Sequence, residues 1–290
     1  MKPAPFQLHM PSTVEEAAAL LATYGDDAKV LAGGQSLVPL LALRLTRFEH
    51  LVDLNRVDGL RGIARHDGWL TVGATTRQAE AEIDAEVASA APLLHRALPH
   101  IGHFQIRNRG TVGGSIAHAD PASELPAVAL ALDAELTATS SSGSRTIPAR
   151  EFFDSMWTTA LQPDELLTSI RYPVWGGRSG FAVDEFARRS GDFAIAGVCC
   201  GVQLTEDGRI ARATIALFGM GSTPLRAEVA ERGLAGRLPG EVELRAVAST
   251  AVENCEPSDD LHGTGAFRRR VAAHLTERAL ARAIGEASHG

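Results

Sequence analysis

The chain has 290 residues, 45% of them hydrophobic and 22% charged, with a formal net charge of −7 and a pI near 5.8. That length suits two or three modest globular domains with a real core. The acidic balance excludes a protein built to hold a nucleic-acid backbone, which needs a basic stripe; the triplet Arg268-Arg269-Arg270 reads as a solvated helix start, not a polyanion site.

No apolar run approaches the roughly 20 residues that span a bilayer. Met1 to Pro11 lacks the charged start and apolar stretch of a signal peptide. The cysteines, Cys199, Cys200 and Cys255, form no CxxC pair, so neither a zinc site nor an iron–sulfur cluster is expected on this chain. So few cysteines, in odd number, suit a reducing cytoplasm.

Ser12-Thr13-Val14-Glu15 has the pattern of a capping box and opens a helix to about Tyr24. Lys29 to Ala32 is a short buried strand, Gly33-Gly34-Gln35-Ser36 breaks it, a helix-like stretch runs from Leu37 to Leu45, and Leu51 to Leu54 is another strand. This order predicts a small α/β unit over residues 1–56. Residues 57–175 then read as α+β. A hairpin turns at His66-Asp67-Gly68, helices follow to about Glu82 and over Ala85 to Leu98, and a glycine-rich stretch covers Ile101 to Gly114. Asp120-Pro121 opens a helix to about Leu132, and strands follow at Glu135–Thr139, Arg145–Pro148 and Glu165–Tyr172. Beyond a linker at Trp175-Gly176-Gly177, residues 178–290 read as a three-stranded antiparallel sheet plus helices. Its hairpin turns at Asp207-Gly208, and its helices fall at Pro224–Leu234, Pro239–Val252 and Ala266–Ile284.

Two glycine segments stand apart, Leu31-Ala32-Gly33-Gly34-Gln35-Ser36-Leu37 and Gly110-Thr111-Val112-Gly113-Gly114-Ser115. Glycine lets the backbone turn sharply and lets a ligand reach the N–H groups. Successive N–H groups make an anion-binding concavity, to which a following helix adds partial positive charge. Two such turns facing each other would hold a pyrophosphate from both sides, with Ser36, Thr111 and Ser115 as hydroxyl donors. One Gly-Gly turn alone is ordinary; the pair is what suggests a dinucleotide. There is no G-x-G-x-x-G, no P-loop and no G-x-S-x-G, which argues against a Rossmann nucleotide site, a P-loop ATPase and a serine hydrolase.

The other chemical residues have plainer readings. Asp120 caps the helix after it and His118 is a turn residue, in preference to an acid–base pair. His100 and His103 lack a third metal ligand, so no metal is expected. Cys199 and Cys200 are core residues, and Trp157 and Trp175 pack at domain contacts.

Leu31 to Pro39 reads LAGGQSLVP and Thr111 to Pro126 reads TVGGSIAHADPASELP. Together with Asp192-Phe193-Ala194 and Gly219 to Arg226, these segments resemble the FAD-binding medium subunit of molybdenum hydroxylases, the family of carbon monoxide dehydrogenase and the flavin domain of xanthine dehydrogenase. The resemblance runs through the whole chain. It implies an α+β fold: a two-part PCMH-type FAD-binding unit, small α/β then larger α+β, followed by the C-terminal antiparallel sheet with helices. By position, Leu31, Ala32, Gly33, Gly34, Gln35, Ser36 and Leu37 would wrap the pyrophosphate, with Thr111, Gly114 and Ser115 opposite. Ala117, Asp120 and Glu124 would lie towards the ribose and adenine, with Leu167 on the adenine side; an exposed helix-face glutamate is the plainer alternative for Glu124. Ile101 and Gly102 would lie against the isoalloxazine, with Phe193 approaching it. Relatives often carry a lysine near Asp184-Glu185, and a tyrosine at Phe193 would offer a hydroxyl; this chain has neither.

The resemblance further implies partners. A large subunit would carry molybdopterin cytosine dinucleotide and a small one [2Fe-2S] clusters, assembled as a dimer of heterotrimers in the cytoplasm, with no nucleic acid. This chain would relay electrons from the clusters to an external acceptor and would contribute no catalytic acid or base. Two other readings compete: a self-sufficient FAD oxidoreductase of related fold, for which no serine–glutamate pair or attachment histidine is evident, and an assembly module that has lost its flavin.

Overall fold

The structure, a computed structural model, describes residues 2–290. Its first unit contains strand β1 (Gln7–His9), helix α1 (Val14–Tyr24), β2 (Ala28–Leu31), α2 (Leu37–Ala42) and β3 (His50–Asp53). The strands form a parallel sheet in the order β1-β3-β2. Strand β1 was not expected: three residues at a sheet edge give too little alternation to read. The cap of α1 is Thr13, which accepts from Glu16 N at 3.1 Å, while Glu16 in place of Glu15 accepts from Ser12 N at 2.8 Å. Helix α1 buries Ala17, Ala18 and Leu21 against Val52, Leu54, Leu60 and Leu166, which ties this unit to the next.

The second unit opens with the hairpin β4 (Ile63–His66) and β5 (Trp69–Gly73). Both turn residues, Asp67 and Gly68, have positive φ, as a tight two-residue hairpin requires. Helices α3 (Gln78–Ile83), α4 (Ala85–Ala90), α5 (Pro92–Ala97), α6 (Phe104–Arg107), α7 (Val112–His118) and α8 (Glu124–Ala131) follow. Then come β6 (Glu135–Ser140), β7 (Gly143–Pro148), the short pair β8 (Phe153–Ser155) and β9 (Thr158–Thr159), and β10 (Leu166–Pro173). The main sheet is antiparallel, in the order β4-β5-β10-β6-β7.

Two expected helices differ. The one expected over Ala85 to Leu98 is broken at Ala91 (φ −136°, ψ 66°), because Pro92 disfavours helical backbone in the residue before it and restarts the helix from its own first turn. The one expected from Pro121 begins at Glu124, with Ser123 as its N-cap. Asp120 does not cap it: Oδ1 accepts from Ala122 N at 2.9 Å and closes a turn instead.

The third unit has β11 (Arg178–Phe186), β12 (Ala196–Leu204), β13 (Ile210–Phe218), β14 (Leu225–Arg226), α9 (Glu228–Arg232), α10 (Leu244–Val252) and α11 (Gly265–His289). Its antiparallel sheet has four strands, not three, because Leu225-Arg226 pairs with β13 where a helix start was expected. Strand β12 is covered on both faces, so alternation sends Cys199 to the main core and Cys200 to the core under α10 and α11. Helix α8, buried along all eight residues, lies between the two large sheets. Thr214 Oγ1 donates to Ala131 O at 2.8 Å, Arg226 Nη1 to Leu130 O at 2.8 Å and Gly219 N to Pro121 O at 2.7 Å, so the C-terminal sheet satisfies the carbonyls at both ends of this segment.

Candidate functional site

The two glycine segments face each other. The first leaves β2, turns through Gly34 (φ +74°) and enters α2, with Val38 N donating to Gly34 O at 3.0 Å. The N–H groups of Gly33, Gly34, Gln35 and Ser36 donate to no group among the described residues, and the Ser36 hydroxyl makes no cap bond. In the second segment Gly113 and Gly114 lie inside the first turn of α7, not in a turn before it, and Thr111 Oγ1 caps the helix by accepting from Gly114 N at 3.0 Å. A Cβ on Gly33 would overlap Arg109 O and stand 2.8 Å from Gly110 Cα; one on Gly114 would stand 3.5 Å from Ala32 Cβ. Gly33 is therefore where the first segment's backbone passes against the second, while Gly114 is crowded by the Thr111 hydroxyl of its own helix and stands in ordinary contact with Ala32.

A polar chain fixes this approach. Asn55 Nδ2 donates to Ala32 O at 3.0 Å, and Arg77 Nη2 donates to Asn55 Oδ1 at 2.5 Å. Arg77 Nη1 donates to Arg109 O, completing a bridge from the first unit to the second. Burial, then the charge of Arg109, lowers the Arg77 pKa, so the two guanidinium groups lie close enough to oppose each other. A dianionic pyrophosphate there would relieve that repulsion. Asn55, Arg77 and Arg109 were missed in the sequence: Asn55 looks like a plain turn residue after Asp53, and Arg77 sits in what reads as an ordinary helix start.

A second cluster lies at the junction with the C-terminal sheet. His100, just before Ile101-Gly102, meets Glu185 of β11, Nδ1 to Oε1 at 3.2 Å. The bond to Glu185 raises the His100 pKa against the effect of burial. Glu124, at the start of α8, is buried, and desolvation with the nearby Glu185 charge pushes its pKa up to about 8. The exposed-glutamate alternative is thus corrected. Glu124 also shares its surroundings with His100, next to the segment expected at the isoalloxazine. The loop carrying Phe193 arrives on the same side: Gly191 packs against His103 and the carbonyl carbon of Gly102. Phe193 itself is 64% exposed.

The remaining expected residues are distributed as follows. Ser115 and Ala117 are half-buried on α7, whereas Leu167 is buried in the main core, paired with Ala138. His118 makes no bond to Asp120; burial lowers its pKa, and Asp120 Oδ2 instead accepts from Trp157 Nε1 at 3.2 Å. Trp157 is 62% exposed and does not pack at a domain contact as expected. Trp175 does: Phe181 lies 5.1 Å from its ring and the Arg212 guanidinium 3.6 Å above it. Cys199 and Cys200 are fully buried, as expected of core residues. Among the described residues no group of three ligating side chains could hold a metal ion, and no helix is long and apolar enough to cross a membrane. A surface depression of about 650 Å³ beside the β4–β5 turn lies apart from all these groups, so converging donors and not volume mark the site.

Free backbone donors, the Arg77 guanidinium linked to the first segment through Asn55, and glycines with no room for a side chain fit a dinucleotide cofactor bound through its pyrophosphate, and a flavin dinucleotide is the class the sequence suggests. The comparisons give the family. Residues 4–175 match the model described as the FAD binding domain in molybdopterin dehydrogenase, and residues 181–283 the CO dehydrogenase flavoprotein C-terminal domain. The chain belongs to this FAD-binding family of molybdopterin dehydrogenases.

It is 44% identical to subunit alpha of the 6-hydroxypseudooxynicotine dehydrogenase complex of Paenarthrobacter nicotinovorans, over 99% of this chain and 97% of that one. It is 37% identical to the carbon monoxide dehydrogenase medium chain of Hydrogenophaga pseudoflava, over 97% of both. Among solved structures, carbon monoxide dehydrogenase from Hydrogenophaga pseudoflava superposes with a TM-score of 0.96 at 38% identity, covering 99% of both chains. Quinoline 2-oxidoreductase from Pseudomonas putida 86 gives 0.93 at 36%, with the same coverage.

Proposed function

We propose that this chain is the FAD-carrying, electron-relaying medium subunit of a molybdenum hydroxylase. The observation that carries this reading is the approach of the Gly33–Ser36 turn to the start of α7, with four backbone N–H groups left free. Those groups, with Ser36, would hold the pyrophosphate, and Arg77 and Arg109 would offset its charge. Thr111, Gly114, Ser115 and Ala117 would close the site from α7. Ile101 and Gly102 would support the ring, with Phe193 covering it and Glu124 beneath it. Asp120 and Leu167 would lie farther along the dinucleotide.

Bound FAD would supply the redox chemistry, taking up and passing on electrons. The protein's share is to orient the ring, keep water from it and set the charge around it. The chain has no cluster-binding cysteines, so electrons would come from a small subunit carrying [2Fe-2S] clusters, fed by a large subunit with molybdopterin cytosine dinucleotide. We place the complex in the cytoplasm as a dimer of heterotrimers. Names of relatives as medium chains and complex subunits support the multi-subunit reading.

The test is the visible spectrum of the purified chain after FAD is added and the excess removed, with the released cofactor identified by chromatography. Retained FAD is expected. A folded chain that retains none, either alone or in the co-expressed complex, overturns the proposal.

A further inference from the structure

The His100–Glu185–Glu124 cluster is not explained by pyrophosphate binding. Its three members come from three elements: the turn after α5, strand β11 of the C-terminal sheet and the first residue of α8. Glu185 Oε1 meets His100, but its Oε2 is buried with no hydrogen-bond partner. The Glu124 side chain is buried within electrostatic reach of Glu185, and no other residue among those described donates a hydrogen bond to its carboxyl. A buried carboxylate oxygen without a donor is costly. Two carboxylates sharing such a space are costlier, because like charges in a poorly solvated site cannot both ionise cheaply. A proton on Glu124 removes the second cost by neutralising one of the two carboxyls.

The other charged groups around the cluster do not supply that proton's charge. Asp184, next along β11, is already met by Arg278 and Arg282 of α11. Asp120, in the turn before α8, adds further negative charge. The Cys199 thiol of β12 faces the same carboxyls, and burial holds its pKa well above the usual thiol range, so it stays neutral.

We propose that Glu124, Glu185 and His100 form a proton-holding cluster at the ring end of the site, in which the proton on Glu124 removes one carboxylate charge that would oppose electrons arriving there. The inference rests on the FAD reading. Loss of the proton held on Glu124 adds one negative charge to the cluster. That charge disfavours added electrons, and by linkage each added electron raises the proton affinity of Glu124 by the same free energy. The electrons come from one-electron carriers of a partner subunit, and no proton need leave the cluster.

Two measurements on the full chain test this. Infrared spectroscopy is expected to show a protonated carboxylic-acid band at neutral pH that disappears near the Glu124 titration at about 8. Glu124→Gln should abolish the band. Glu185→Gln should move its loss to lower pH, and His100→Gln to higher pH, because the first removes a negative neighbour and the second a positive one. In the FAD-loaded chain, or in the complex, the flavin potential should fall more steeply with pH across this range in the wild type than in Glu185→Gln. Absence of the acid band, shifts of the same sign in both variants, or identical potential slopes with FAD bound would overturn the inference. Loss of FAD binding altogether would strike the functional reading instead, and the infrared result would still decide the protonation of the cluster.

Discussion

At the scale of single residues, the site depends on atoms that are missing. Gly34 holds φ at +74°, and a Cβ there would stand 3.0 Å from Val38 Cγ2. Gly34→Ala must adopt a left-handed backbone, which costs an L-residue about 1–2 kcal/mol; if that strain straightens the turn, FAD binding weakens by roughly tenfold. Equilibrium titration of FAD against both proteins checks this, with stability measured alongside to separate strain from lost donors. Glu124 makes a prediction with a definite sign. Its folded pKa, about 8, lies above its ordinary value of 4.5, so the folded state binds the proton more tightly than the unfolded state does. Its contribution to stability is fully present below the unfolded value, is lost as pH rises through the folded value and is constant above it. Denaturant melts of the FAD-free chain across this range should show that decline, and Glu124→Gln should flatten it.

At the scale of elements, helix α7 is the piece that presents the second glycine segment, and its entry is set by Thr111. Thr111→Ala removes the acceptor of Gly114 N and should cost about 1 kcal/mol, as loss of an N-cap does. The thermal midpoint should fall and FAD affinity should fall with it. Affinity that holds while the midpoint falls would remove α7 from the binding account. This element also shows what the sequence could and could not convey. The motif Thr111-Val112-Gly113-Gly114 marked the place, yet read as a turn, because glycine pairs usually break helices. Here they begin one: Gly113 packs against Ala74, and Gly114 lies against Ala32, close approaches that no local pattern records. The Asp-Gly hairpins were legible because turn chemistry is local. The two-residue strand β14 was obscured by the helical composition that follows it, and the break at Ala91 by helical composition on either side.

At the scale of the whole molecule, the C-terminal sheet is part of the main core and not an appendage. Phe181, Val183, Cys199, Ala216 and Phe218 pack with Leu125, Val128 and Leu132 around α8. A chain ending at Trp175 would expose that apolar face, so it should be recovered as aggregate or with a collapsed thermal transition. A monomeric, FAD-retaining fragment of that length would contradict the packing. The same arrangement explains why Glu185 escaped a sequence reading as a member of the site. It is some sixty residues from Glu124 in the chain, and only the stacking of the third unit on α8 brings the two carboxyls together. Likewise, the Asn55–Arg77–Arg109 bridge depends on how the first unit sits against the second.

The most direct test of the facing glycine segments is the FAD dissociation constant of the wild-type chain beside that of Gly114→Leu. A leucine there has to displace Thr111 Oγ1 and enter the gap towards Ala32. A chain that remains folded by circular dichroism and loses FAD affinity by more than roughly a hundredfold, about 2.7 kcal/mol, is the expected result. A folded Gly114→Leu chain that binds FAD as tightly as the wild type would mean that the cofactor does not lie between the two segments.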